Sequence, residues 1–320
     1  MATTETSKEQ RSGPSIDLSS AADQLFRLIG REPDNAAALN QLAMVEWQRG
    51  HQEAAIEFIE RAVEAKPASA EYRHRLGTMY AMLGRFDEAT AALERTVQLD
   101  PNLADAHYNL ANALKKVGRI DEAIEGYQRV VQLAPDYAEA HYNLANEFRD
   151  AGEVDRAIAS FEAALKVRPG YPKAKANLCR LLIETAIELR ENEQTAAAIE
   201  YLRRATALDD ESASAWAHLG AILVIEGEHT EAIGANKRAL ELKSDLHVPH
   251  ANLGTSYREC RQNEKAEEHF RIALRLKPDH AESHMNLASL LAKRRAYDEA
   301  LSHSREALRI KPGGAKRGLS

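Results

Sequence analysis

"AHYNLAN" stands twice in the chain, at Ala106–Asn112 and again at Ala140–Asn146, with starts 34 residues apart. A phrase copied at that interval predicts that other residues recur with it, and numbering the sequence in steps of 34 tests this. Eight repeats emerge, beginning at Ala36, Ala70, Ala104, Ala138, Pro172, Ala213, His247 and Ala281. Position 7 is leucine in all of them: Leu42, Leu76, Leu110, Leu144, Leu178, Leu219, Leu253 and Leu287. Position 8 is always small. Position 20 is alanine from Ala55 to Ala300 once seven extra residues are allowed in the fifth repeat, and proline closes six of the eight, from Pro67 to Pro312.

Each repeat reads as two helices of about fourteen residues, too short to be stable alone in water, so they must pack on each other and on their neighbours. Small residues at positions 8 and 20 allow close approach. Gly50, Gly84, Gly118, Gly152 and Gly227 fall where a first helix ends and a left-handed residue is wanted. The closing proline keeps a second helix from running into the next repeat. The expected product is an all-α, quasi-one-dimensional solenoid.

The pattern resembles the tetratricopeptide repeat (TPR) family over 36–312. The resemblance implies a right-handed superhelix whose first helices line a concave groove, with positions 2, 5, 6, 9, 12 and 13 facing it. Position 6 is Asn109, Asn143, Asn177, Asn252 and Asn286, with Gln41 in the first repeat and Arg75 and His218 as exceptions. Asparagine inside a helix costs roughly half a kcal/mol against alanine, so five on one face call for a reason. A file of amides, each with an acceptor and two donors, can match the N–H and C=O groups of an extended peptide. It is similar to the asparagine ladder in the TPR arm of O-GlcNAc transferases; inheritance by duplication is the alternative.

Asn112 and Asn146 at position 9 double the amides in repeats three and four, and Lys173 and Arg180 flank Asn177 on one helix face. This partly resembles the carboxylate clamp of chaperone-binding TPR proteins. Asn112, Asn143 and Lys173 match it, whereas Tyr108 and Asn177 stand where that clamp has Lys and Arg. The implied preference is for extended or acidic peptide segments; ordinary solvated charges are the other reading.

The fifth repeat's extra residues, close to two helical turns, lengthen its first helix without rotating its apolar face. They are either a tolerated insertion or a ledge for a partner. Residues 1–18 are polar and aperiodic and are expected to be disordered. Residues 19–34 read as a capping half-repeat and 313–320 as a short tail, which leaves Leu301 and Leu308 partly bare.

A net charge of -7 argues against nucleic acid as a partner. No apolar run is long enough for a signal peptide or a membrane span, so a cytoplasmic protein is expected. Cys179 and Cys260 have no metal-ligand spacing and read as small buried residues. The histidines at position 4 (His107, His141, His250, His284) lie at best one repeat apart, which favours packing over a metal site. No catalytic motif appears, and no cofactor is expected. Three functions fit: a non-catalytic scaffold gripping an extended peptide, the substrate-recruiting arm of a peptide glycosyltransferase without its catalytic domain, and a structural homo-oligomer built through the C-terminal end.

Overall fold

A computed structural model describes residues 18–312, and within them the chain forms seventeen helices and no strand. Two compact parts divide it, residues 1–147 and 148–320. The first half contains α1 (Leu18–Arg31), α2 (Ala36–Gln48), α3 (Gln52–Ala65), α4 (Ala70–Met82), α5 (Phe86–Leu99), α6 (Ala104–Lys116), α7 (Ile120–Leu133) and most of α8 (Ala138–Asp150). The second contains α9 (Val154–Val167), α10 (Pro172–Glu191), α11 (Thr195–Leu208), α12 (Ala213–Ile225), α13 (His229–Leu242), α14 (His247–Glu259), α15 (Asn263–Leu276), α16 (Ala281–Lys293) and α17 (Tyr297–Ile310). The predicted repeat starts are the first residues of α2, α4, α6, α8, α10, α12, α14 and α16.

All eight position-7 leucines are buried, as are all eight position-20 alanines. The position-8 residue decides how deeply the second helix can insert. At Gly254 an added Cβ would lie 2.6 Å from the Phe270 ring, so α15 sits against a helix face where only hydrogen fits. The five glycines expected to be left-handed all have positive φ, from 77° at Gly84 to 85° at Gly50. In repeats five, seven and eight the same station is held by Glu193, Arg261 and Arg295 at φ near 60°, a conformation that costs a side chain about 1 kcal/mol or more.

Position 4 does more than pack. The Arg73 Nε donates to the Pro67 carbonyl at 3.0 Å, the His107 and His141 Nε2 to Pro101 and Pro135 at 3.0 Å, the Trp216 Nε1 to Asp210 at 3.0 Å and the His284 Nε2 to Pro278 at 2.9 Å. Each bond reaches six residues back and satisfies a carbonyl in the turn where the preceding second helix ends.

α10 has twenty residues against thirteen in the other first helices, so the insertion is helical throughout, and its extra turns, 185–191, bury Ala186. In α1, Ala22 and Ile29 are buried and Phe26 meets Phe58 of α3 edge-on at 5.7 Å. The expected disordered segment 1–18, apart from Leu18, and the tail 313–320 lie outside the described residues. One expectation fails: Cys179 is buried but Cys260 is exposed, because it stands at the C-cap of α14, outside the helix-packing face.

Candidate functional site

The first half carries two clefts that share Thr78 and Met82. One, of about 420 Å³, is lined by Asn109, Asn112 and Asn143 together with Lys115, Lys116 and Tyr127. The other, of about 270 Å³, is lined by Met44 and Trp47 from α2 and by Met79, Glu71, His74 and Arg75 from α4. Methionines adapt their shape to what they meet, and Met82 is 67% exposed between the two clefts.

The amides are stitched to the preceding repeat. Asn109 donates from Nδ2 to His74 Nε2 (2.9 Å) and to Thr78 Oγ1 (3.2 Å), and Asn143 donates to Tyr108 Oη and Asn112 Oδ1, each at 3.2 Å. Asn112 also accepts from the Tyr127 hydroxyl at 2.7 Å. Burial, reinforced by the Glu147 charge, pushes the Tyr127 phenol well up, so it stays a donor. With their N–H groups engaged, Asn109 and Asn143 have Oδ1 as the amide atom left for a ligand. These two amides therefore present acceptors rather than the mixed set that the sequence alone implies.

Positive charge stands beside those oxygens. Lys115 pairs with Glu147, whose side chain is only 3% exposed, and Lys116 is exposed in the same cleft. Tyr108, which stands where a carboxylate clamp has a lysine, stacks on Tyr137 at 4.9 Å and is held in place. Burial lowers His74 below the usual imidazole range, which suits its role as an uncharged acceptor.

Of the sequence-predicted residues, Asn109, Asn112 and Asn143 converge. Asn146, in the same half, turns its N–H back to the Tyr142 carbonyl at 2.7 Å. In the second half, Arg180 donates to Asn177 Oδ1 at 3.2 Å and lies 4.0 Å from Glu184, while Lys173 is exposed. Asn252 donates to Asn236 Oδ1 (3.3 Å), and Asn286 accepts from Arg258 (2.7 Å) and faces Thr255 Oγ1 at 3.5 Å. Asn109, Asn143 and Asn286 thus share one rule, position 6 reaching position 9 of the repeat before. Sequence reading missed Met44, Trp47, Met82 and Tyr127; for the first three the signal available was apolar residues at first-helix positions expected to face the groove, whereas Tyr127 enters from α7, a second helix, where no such signal exists.

The position-4 histidines of the last two repeats pair with histidines from the second helix of their own repeat. His250 meets His269 at 3.0 Å and His284 meets His303 at 2.8 Å, Nδ1 to Nδ1. Since a carbonyl only accepts, the His284 Nε2 carries hydrogen and its Nδ1 accepts from His303. Among the described residues no group of three or more His, Cys, Asp or Glu is placed to hold a metal, and no helix is long and apolar enough to cross a membrane.

Comparison with known proteins agrees with the repeat geometry. A TPR repeat family matches residues 77–118 and a tetratricopeptide repeat family residues 17–70. The family described as "Cilia and flagella-associated protein 70 C-terminal domain" matches 102–318. No curated protein matches the chain. Similar solved structures include MamA (27% identity, 49% of this chain and 92% of that one, TM-score 0.46). A second is YrrB, described as a TPR protein with an unusual peptide-binding site (25% identity, 63% and 98%, TM-score 0.41). A third is the APC/C hetero-tetramer Cut9-Hcn1 (20% identity, 96% and 58%, TM-score 0.41). With well over half of its residues matched by a single TPR-containing family, the chain belongs to the tetratricopeptide repeat proteins, in the group described by the Cilia and flagella-associated protein 70 C-terminal domain.

Proposed function

We propose that this protein is a non-catalytic interaction scaffold whose first half grips an extended segment of a partner protein. The observation that carries the reading is the pair of joined clefts, with the Asn109 and Asn143 Oδ1 atoms beside Lys115 and Lys116 at one end and Met44, Trp47 and Met79 at the other. A peptide laid across them would donate backbone N–H groups to the amides, place an apolar side chain among the methionines and set a carboxylate by the lysines. Lys173, Asn177, Arg180, Asn252 and Asn286 extend the amide and charge pattern into the second half. Asn109→Ala with Asn143→Ala is expected to weaken the partners captured from cytosol at least tenfold. The folded state should lose only about 1 kcal/mol per hydrogen bond. Quantitative mass spectrometry of captured proteins, beside a circular dichroism melt, checks both; unchanged capture by the folded variant would sink the groove reading. If captured partners carry O-linked N-acetylglucosamine, the glycosyltransferase-arm reading of the same groove gains ground.

A second reading rests on a separate surface. Met285, Tyr297, Leu301 and Leu308 are each about half exposed or more around a cleft of about 520 Å³ on α16 and α17. Such a patch favours burial against a second copy. Sedimentation should show mass rising with concentration, abolished by Leu301→Glu with Leu308→Glu; a monomer at every concentration removes this reading.

A further inference from the structure

Half of the chain's twelve histidines stand between positions 247 and 303, in the last two repeats. His250 on α14 and His284 on α16 each donate from Nε2 to a carbonyl six residues back, of Ser244 and Pro278, so each carries its lone pair at Nδ1. That lone pair takes the Nδ1 hydrogen of His269 on α15 at 3.0 Å and of His303 on α17 at 2.8 Å. One hydrogen therefore ties the two helices of each repeat together. His280 is the N-cap of α16, and its Nδ1 accepts from the Ser283 N–H at 3.3 Å, which only a deprotonated nitrogen can do. Its ring meets His247, the first residue of α14, edge-on at 5.5 Å and so joins the two repeats.

A proton added at Nε2 of His269 or His303 leaves the bridging hydrogen in place. A second proton, on Nδ1 of His250 or His284, sets N–H against N–H between two positive rings and breaks the bond. On His280 a single proton removes the cap and puts a positive charge at a helix N-terminus, where the dipole opposes it. Burial is the first cause holding His250, His269, His280 and His303 below the ordinary imidazole value. Arg275 adds to it at His250, His250 and Lys237 at His269, His247 and Lys277 at His280, and His284 and Arg271 at His303. Glu268, Asp279, Glu282 and Glu299 act the other way, but Glu299, 3.9 Å from His303 Nε2, already meets Arg271 at 2.7 Å. The folded state thus binds fewer protons than the unfolded chain. Stability is whole above the ordinary value of about 6.5 and falls as the pH drops through it toward the lowered folded values.

We propose that the last two repeats form a pH-sensitive unit, locked at neutral pH by the His250–His269 and His284–His303 bonds and the His280 cap, and opened when those nitrogens take up protons. A solenoid end can open without the rest, since each repeat leans only on its neighbours. The apolar cleft on α16 and α17 is lost with it, so any occupant of that cleft is shed in acid.

Amide hydrogen exchange of the full chain at pH 7.5 and 5.0, corrected for the intrinsic exchange rate, tests this. Protection across 247–310 should fall by about tenfold or more in acid, while that across 36–133 changes by less than about threefold. His269→Gln with His303→Gln should keep the protection at pH 5.0, because an amide can donate to the partner's Nδ1 or accept from it once protonated. His280→Asp, a change confined to a turn, supplies a carboxylate that caps at both pH values and should recover part of the loss. Circular dichroism melts at pH 7.5 establish that each variant is folded. Overturning results are an equal loss of protection in the two segments, a loss that is the same in both variants as in the parent, or a loss at pH 7.5 on adding a chelator, which would put a metal ion where the bridging hydrogens stand.

Discussion

Phe270→Ala is expected to destabilise the protein by about 3–5 kcal/mol, the range for removing a fully buried aromatic ring. The ring has no exposed surface and touches a core shared by the last two repeats, with Leu253, Tyr257, Leu287, Leu290 and Leu291 around it. In a solenoid each repeat depends on its neighbours, so a cavity at such a shared core weakens both repeats at once. The partner substitution isolates the cause. Gly254→Ala puts a Cβ 2.6 Å from two ring carbons and should cost about 1–3 kcal/mol by overpacking. In the Phe270→Ala background the clash is gone, so the double variant should be more stable than the summed losses by about 0.5–3 kcal/mol. Urea unfolding followed at 222 nm measures the cycle. Strict additivity would mean that the glycine is not there to admit the ring.

The packing that couples Gly254 to Phe270 is also what makes the fold legible in the sequence. A helix pair that cannot fold alone must repeat its packing residues, and so the helix starts show: Leu253 and Gly254 do in the seventh repeat what Leu76 and Gly77 do in the second. The left-handed turn is legible where glycine marks it and silent at Glu193, Arg261 and Arg295, where stacking imposes the conformation on residues with no such preference. Position 4 reads as simple packing because arginine, histidine and tryptophan differ in shape; what unites Arg73, His107 and Trp216 is a side-chain N–H aimed at a turn carbonyl. The amide file is visible in the sequence, but its orientation is not. Whether Asn143 offers donors or acceptors depends on the offset between neighbouring repeats, which sets Tyr108 and Asn112 within its reach. The proline and glycine punctuation says that repeats stack and carries no information on that offset.

Lys115→Met is expected to cost about 3 kcal/mol, the low end for breaking a buried pair, because the lysine end of the contact is open to water. Lys115 is 40% exposed while the Glu147 side chain is 3% exposed, so the substitution strands a carboxylate that water cannot reach in place of the ammonium. Glu147→Leu in the same chain should recover most of the loss, since two apolar groups of similar size leave no charge to compensate. Lys116→Met, at an exposed lysine one residue on, should change stability by less than about 0.5 kcal/mol. The three variants also separate the two roles of the cleft's positive charge. If acidic segments are held by field alone, the Lys115→Met/Glu147→Leu protein and the Lys116→Met protein should lose affinity about equally as measured by fluorescence anisotropy. If Glu147 fixes the Lys115 ammonium beside the Asn143 amide, the first should lose clearly more. Retention of full affinity in both would remove charge from the recognition and leave the amide oxygens and the methionine-lined cleft to account for it.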